Sequence, residues 1–205
     1  TPSPTMTDQL HKYGYHVAAA GIILAVVLGL QAHFPALEEY RYRADEGLYL
    51  HYSNVLHEEG FLDGIRLLND EHAEKPNRFI VPSPMRIFHL FCLWLIGFFI
   101  SGMAGLSWLS VLSYALLLGV SFVLIRQLYG GLPALLATLL LATAPMGLGL
   151  STKALMDATN YLMIIGTLAT FFYYLKKPGW PSLALFIVVH WLCIMEKDIN
   201  VMLLT

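Results

Sequence analysis

A chain of 205 residues with 57% hydrophobic and 13% charged residues carries about half the charge of an ordinary soluble domain and reads as a polytopic membrane protein. Its formal net charge of −2, with no run of Lys or Arg, excludes the electrostatic footprint of a nucleic-acid partner. The charge is unevenly spread: ten of the fourteen acids and six of the twelve bases fall between Phe34 and Arg86, while the apolar stretches are nearly free of both.

The chain opens on Thr1, with Met6 as its first methionine, which suggests a trimmed N-terminus. Residues 14–32 form an apolar segment longer than the roughly 7–15 residues of a signal-peptide core, with no clear small-x-small site after it. They read as an uncleaved first span. The polar stretch 34–86 follows, a structured layer rather than a spacer. Within it, residues 45–59 have helical spacing: Leu48, Tyr52, Val55 and Leu56 share one face, His51, Asn54, Glu58 and Glu59 the other, and Gly60 stands where such a helix stops. This helix is expected to lie on the membrane with its apolar face down, Asp45 and Glu46 near the headgroup plane. Residues 70–77, polar and containing Pro76, read as an exposed turn.

Beyond Arg86, residues 87–106, 107–125, 132–150 and 161–175 are apolar segments of near-spanning length, and a further run from Pro181 meets Glu196. If 87–106 crosses the membrane, Arg126, Lys176 and Lys177 fall on the side opposite Lys12. If it lies along the interface, all four share one side, as the positive-inside bias prefers. Pro82, Pro84, Arg86 and His89 crowd its start, Gly97 and Gly102 interrupt it, and Trp94 and Phe98 suit an interfacial belt, so the interfacial arrangement is favoured. It sets Asp45, Glu46, Lys153, Asp157 and the 196–198 acids on one outer side. Cys92 and Cys193 sit inside apolar runs as small buried hydrophobes, with no disulfide framework implied. The expected fold class is an all-α polytopic membrane protein: one transmembrane module, 1–205, with a helical first outer loop.

Four short elements carry the candidate chemistry. Tyr42-Arg43-Ala44-Asp45-Glu46-Gly47-Leu48-Tyr49 follows the first span. Pro82-Ser83-Pro84-Met85-Arg86 precedes the next apolar helix. Ala144-Pro145 leads through Ser151-Thr152-Lys153-Ala154-Leu155-Met156-Asp157, and Met195-Glu196-Lys197-Asp198 closes the last apolar run. In order and spacing this set resembles the GT-C glycosyltransferases, in particular the protein O-mannosyltransferase and aminoarabinose-transferase-like branch. In that branch an acidic residue opens a juxtamembrane helix in the first outer loop. The chain departs from many relatives in having Ser83 between Pro82 and Pro84. The likeness covers the N-terminal, catalytic-side part of such an enzyme.

The resemblance implies transfer of a sugar from a polyprenyl-phosphate carrier to an acceptor hydroxyl on the outer face of a bacterial or archaeal cytoplasmic membrane, rather than the endoplasmic reticulum. It implies Asp45 as general base, Glu46 orienting the acceptor or a divalent metal, Arg86 and Lys153 offsetting the leaving phosphate, and Asp157 as a second carboxylate. The implied partners are the polyprenyl-phosphate-linked sugar and membrane lipid. The rival expectation is a non-catalytic relative, an accessory subunit bound to other membrane proteins. Plainer roles fit the same residues: Asp45 as helix N-cap, Glu46 as a first-turn acid, Arg86 snorkelling to headgroups, and Lys153 with Asp157 as an i,i+4 pair. His51, His57 and His72 share the acidic loop without a tight His-x-x-x-His pair, so no metal site is assigned and no cofactor is identified. His190, inside the last apolar run, is a candidate lining for a polar cavity.

Overall fold

The computed structural model describes residues 6–32 (side chains from Tyr13), 45–74, 84, 86–151, 153 and 156–196. The described residues are helical, with no strand among them: α1 Met6–Ala32, α2 Asp45–Glu58, α3 Phe61–Glu74, α4 Ile87–Gly97, α5 Gly102–Tyr129, α6 Gly131–Thr143, α7 Pro145–Ser151, α8 Asp157–Lys176 and α9 Trp180–Glu196. Three stretches are long and apolar enough to cross a membrane, Tyr13–Ala32, Gly102–Tyr129 and Asp157–Lys176; α6 with α7 makes a fourth if the bent pair counts as one span. Large apolar side chains stand exposed along them, including Leu24, Leu28, Leu116, Leu140 and Leu168. A lipid environment accommodates such a surface; water does not.

The spans differ from the sequence reading at two places. The segment 87–106 is not one helix: α4 stops at Gly97, giving 11 residues, or about 16 Å, too short for a hydrocarbon core of about 30 Å. After the break at 98–101 the chain restarts in α5, whose 28 residues absorb the remainder of that segment. The segment 132–150 is broken as well, with α6 and α7 meeting at 61°. Pro145 causes the break, because it lacks an N–H and its ring clashes with the preceding turn. The carbonyl of Leu141, close to the break, accepts a hydrogen bond from the Tyr114 hydroxyl of α5.

The helices share two distinct ends. At one, Arg126 of α5 lies 3.4 Å from His16 of α1, and Lys176 of α8 donates to the Gln127 carbonyl at 2.7 Å. At the other, α2, α3 and α4 gather over the start of α5 and the end of α9. Arg126 and Lys176 thus share one end with His16 of α1. The side chain of Lys12 lies outside the described residues.

A core of Tyr49, Tyr52, Leu56, Leu68, Leu90, Leu93, Leu106 and Met156 joins α2, α3, α4 and α5 at the second end. A separate core of Leu30, Val111, Tyr114, Leu118 and Ala142 joins α1, α5 and α6. The first core corrects the expected orientation of α2: its apolar face is buried in protein, not laid on lipid. Tyr52, Val55 and Leu56 are buried and His51, Asn54, Glu58 and Glu59 exposed, so the assigned faces are right and their neighbour is different. Gly60 ends α2 at φ +83°, a conformation L side chains rarely adopt.

A further helix, α3, follows at once, and it overturns the expected turn at 70–77 as far as Glu74; residues 75–77 lie outside the described residues. Phe61, Ile65 and Leu68 turn its apolar stripe onto α2 and α4. Its short length and many charges leave it little stability apart from this packing.

The close fit of α4 beneath α2 depends on Gly97. A Cβ there would collide with the imidazole of His57, which is held by a 2.8 Å hydrogen bond from Nδ1–H to the Ser53 carbonyl. Gly97→Ala is expected to destabilise the protein by about 1–3 kcal/mol, seen as a lower unfolding temperature in detergent. Adding His57→Ala should return most of that loss; no recovery would show that the collision is not the cause.

Candidate functional site

Asp45 and Glu46 open α2, where the unpaired N–H groups of the first turn favour negative charge. Asp45 is itself the first helical residue, so its plain structural role is that of a first-turn acid. The cap position falls on Ala44, outside the described residues. Asp45 is exposed and Glu46 half-buried.

One turn along α2, Tyr49 is fully buried and marks the convergence of distant segments. Its hydroxyl accepts a 2.6 Å hydrogen bond from Arg86 Nη1. The same nitrogen reaches the thioether of Met156, the residue before α8. Burial pushes the Tyr49 phenol up to about 12; Arg86 opposes this, while Asp45 and Glu196 add to it. The phenol is therefore neutral at ordinary pH and serves Arg86 as an acceptor, not as a counter-ion.

Arg86 is thus gripped by a phenol oxygen and a sulfur, both uncharged. Among the described residues no carboxylate lies within ion-pair distance of it. Its Nε is buried and has no hydrogen-bond partner. A guanidinium held in this way keeps its full charge and unused donors for an anion. Simple snorkelling to headgroups does not describe a side chain bonded into the junction of α2, α4 and α8.

One turn beyond Arg86 on α4, His89 is buried with its ring edge-on to Tyr49, centroids 5.0 Å apart. Its Nδ1 lies 3.4 Å from Glu196 Oε1, with side chains 2% and 0% exposed. The distance is that of an ion pair, but the alignment does not make a hydrogen bond, and both ring nitrogens and both carboxylate oxygens lack hydrogen-bond partners.

The two remaining predicted residues sit less centrally. Lys153 is exposed in the α7–α8 connection, its N–H bonded to the Leu150 carbonyl at 3.3 Å. Because α8 begins only at Asp157, the helical i,i+4 geometry expected for these two residues does not form. Asp157, half-buried, follows Met156 directly and so lies beside the Arg86 contact. Other residues of the sequence elements, namely Tyr42, Arg43, Ala44, Pro82, Ser83, Met85, Thr152, Ala154, Leu155, Lys197 and Asp198, lie outside the described residues.

The histidines separate. His51 pairs with Glu71 across α2 and α3 at 2.9 Å, His57 bonds Ser53, and His190 stacks on Phe186 with centroids 5.6 Å apart. No group of three or more His, Cys, Asp or Glu side chains able to hold a metal occurs among the described residues. Cys92 and Cys193 are free thiols.

Two apolar cavities flank the α6–α7 bend. One, of about 620 Å³, runs between α1 and α6–α7 and is lined by Ile22, Val26, Leu30, Leu139 and Leu148. The second, about 270 Å³, lies on the other side of the α6–α7 bend against Tyr114 and Tyr161.

The structure brings Tyr49 and His89, neither of them a predicted site residue, into contact around Arg86. In the sequence Tyr49 stands only as the end of the Tyr42–Tyr49 run, and its spacing of four from Asp45 signals that the two share a helix face.

Comparison of the chain with protein-family models, with curated proteins and with solved structures finds no match.

The Tyr49 phenol gives a titration to follow. With its folded value raised from 10.0 to about 12, its contribution to stability is complete below pH 10 and declines as pH rises toward 12, because the unfolded chain loses the proton first. Tyr49→Phe is expected to flatten part of this alkaline decline in unfolding temperature. At neutral pH the same change should cost about 0.5–1.5 kcal/mol as Arg86 loses its acceptor. An unaltered alkaline profile would exclude Tyr49 as its source.

Proposed function

We propose that this chain carries the acceptor-activating and phosphate-binding residues of a membrane glycosyltransferase, which moves a sugar from a polyprenyl-phosphate donor to an acceptor hydroxyl. The reading rests chiefly on one observation: Arg86 is held by neutral acceptors, with no carboxylate among the described residues within ion-pair reach, at the bundle end where Asp45 opens α2. A base and an uncompensated cation on adjoining elements are what this reaction needs.

Asp45 takes the proton of the acceptor hydroxyl as its oxygen attacks the anomeric carbon. The bond from that carbon to the phosphate oxygen breaks, and its electron pair leaves with the phosphate. Arg86 offsets the charge gathering there, a contribution larger in a half-buried site than in water. Lys153, exposed on the neighbouring connection, meets the outer part of the same phosphate. Glu46 orients the acceptor, and Asp157 supplies a second carboxylate beside Met156. Attack from the face opposite the phosphate inverts the anomeric centre.

The apolar cavity along α1 and α6–α7 suits the isoprenoid chain of such a donor, since it is lined by aliphatic residues in membrane-spanning helices. The positive-inside bias sets the Arg126–Lys176 end in the cytoplasm and the Asp45 end outside. Asp63→Cys in α3 and Lys177→Cys beyond α8 should therefore react with a membrane-impermeant maleimide from opposite sides, position 63 from outside. Labelling of both from one side overturns this orientation.

Asp45→Asn tests the chemistry. In membranes supplied with polyprenyl-phosphate mannose and acceptor, it should lower transfer about a hundredfold or more while leaving insertion and unfolding temperature intact. Wild-type transfer by this variant would reduce Asp45 to its first-turn role.

A further inference from the structure

Glu196 and His89 have no part in the reaction just described, yet they are among the most deeply buried side chains of the molecule. Glu196 ends α9, and His89 lies in the first turn of α4, three residues after Arg86. They approach to 3.4 Å while their remaining polar atoms lack partners, with Leu90, Leu93 and Cys193 buried nearby in sequence. As mere helix–helix glue this is a poor choice: a buried pair with unsatisfied atoms is often no better than apolar side chains of the same volume. Its value lies in direction, since charge and ring geometry allow fewer arrangements than aliphatic packing does.

The direction leads to Arg86. Tyr49 touches both residues of α4, meeting the His89 ring edge-on at 5.0 Å and accepting from Arg86 at 2.6 Å. Fixing His89 against α9 fixes the turn of α4 that carries Arg86 and the surface on which Tyr49 rests. We propose that Glu196 and His89 are a positioning pair, which locks α4 to α9 so that Arg86 and Tyr49 hold one geometry toward the donor phosphate. Neither residue touches the donor. This proposal rests on the reading of Arg86 as the phosphate ligand.

A double-mutant cycle tests it, with the full chain in detergent and a short-chain polyprenyl phosphate as probe. Arg86→Gln is expected to weaken binding strongly. Glu196→Gln, which keeps shape and removes charge, should weaken it about threefold to thirtyfold in the parent chain and hardly at all in the Arg86→Gln chain, the non-additivity of residues acting through one another. A general loosening of the fold would give similar losses in both chains and would overturn the proposal. If Glu196→Gln fails to fold, His89→Asn enters the same cycle with the same expectation. A silent Arg86→Gln would sink the phosphate reading and this proposal together. A strong Arg86→Gln effect beside a silent Glu196→Gln would sink the proposal alone.

Discussion

The hydrogen bond from Arg86 to Tyr49 is the interaction on which the acidic end of the molecule depends. It ties α4 to α2 and, through Met156, to the entry of α8. A half-buried guanidinium must find acceptors or bear the cost of desolvation, and those it finds are neutral. The cation is therefore held in place without being neutralised. Substituting a carboxylate for the phenol would hold α4 as firmly but would consume the charge.

Around this junction the fold separates two tasks. The long helices α1, α5 and α8 meet the hydrocarbon with exposed aliphatic faces and satisfy their backbone groups internally, as a membrane requires. The short helices α2, α3 and α4 cannot span and instead form a cap with its own core, so polar groups can be gathered there beside water and headgroups. The bend at Pro145 belongs to the same division. By turning α7 away from α6 it leaves apolar space on either side of the bend.

Much of this was legible in the residues. The apolar segments announced the spans, Arg126 and Lys176 share one end, and the two faces of α2 followed from helical spacing. The errors have specific causes. Residues 87–106 form one apolar segment by hydropathy; Gly97 and Gly102 mark its interruption in the sequence, but only the structure shows that the helix stops there and restarts as α5. Helix α3 reads partly as a turn because its end, Asp70 to Glu74, is mostly acidic and runs toward Pro76, and its stability comes from contact with Tyr52, Leu56 and Trp94 rather than from its own composition. The expected lipid-facing side of α2 was apolar for a different reason: a protein core and a bilayer make the same demand on a sequence.

The sequence by itself determined the helical membrane architecture, the polar excursion after the first span and the segregation of charge between two ends. Each of these follows from local composition, which the solvent reads residue by residue. Only the tertiary structure decided the partnerships of the site: Tyr49 with Arg86 across 37 positions, Arg86 with Met156 across 70, and His89 with Glu196 from distant parts of the chain. No local pattern encodes those encounters, because they exist only where separate helices cross, and a side chain's burial and charge environment are fixed by what crosses it.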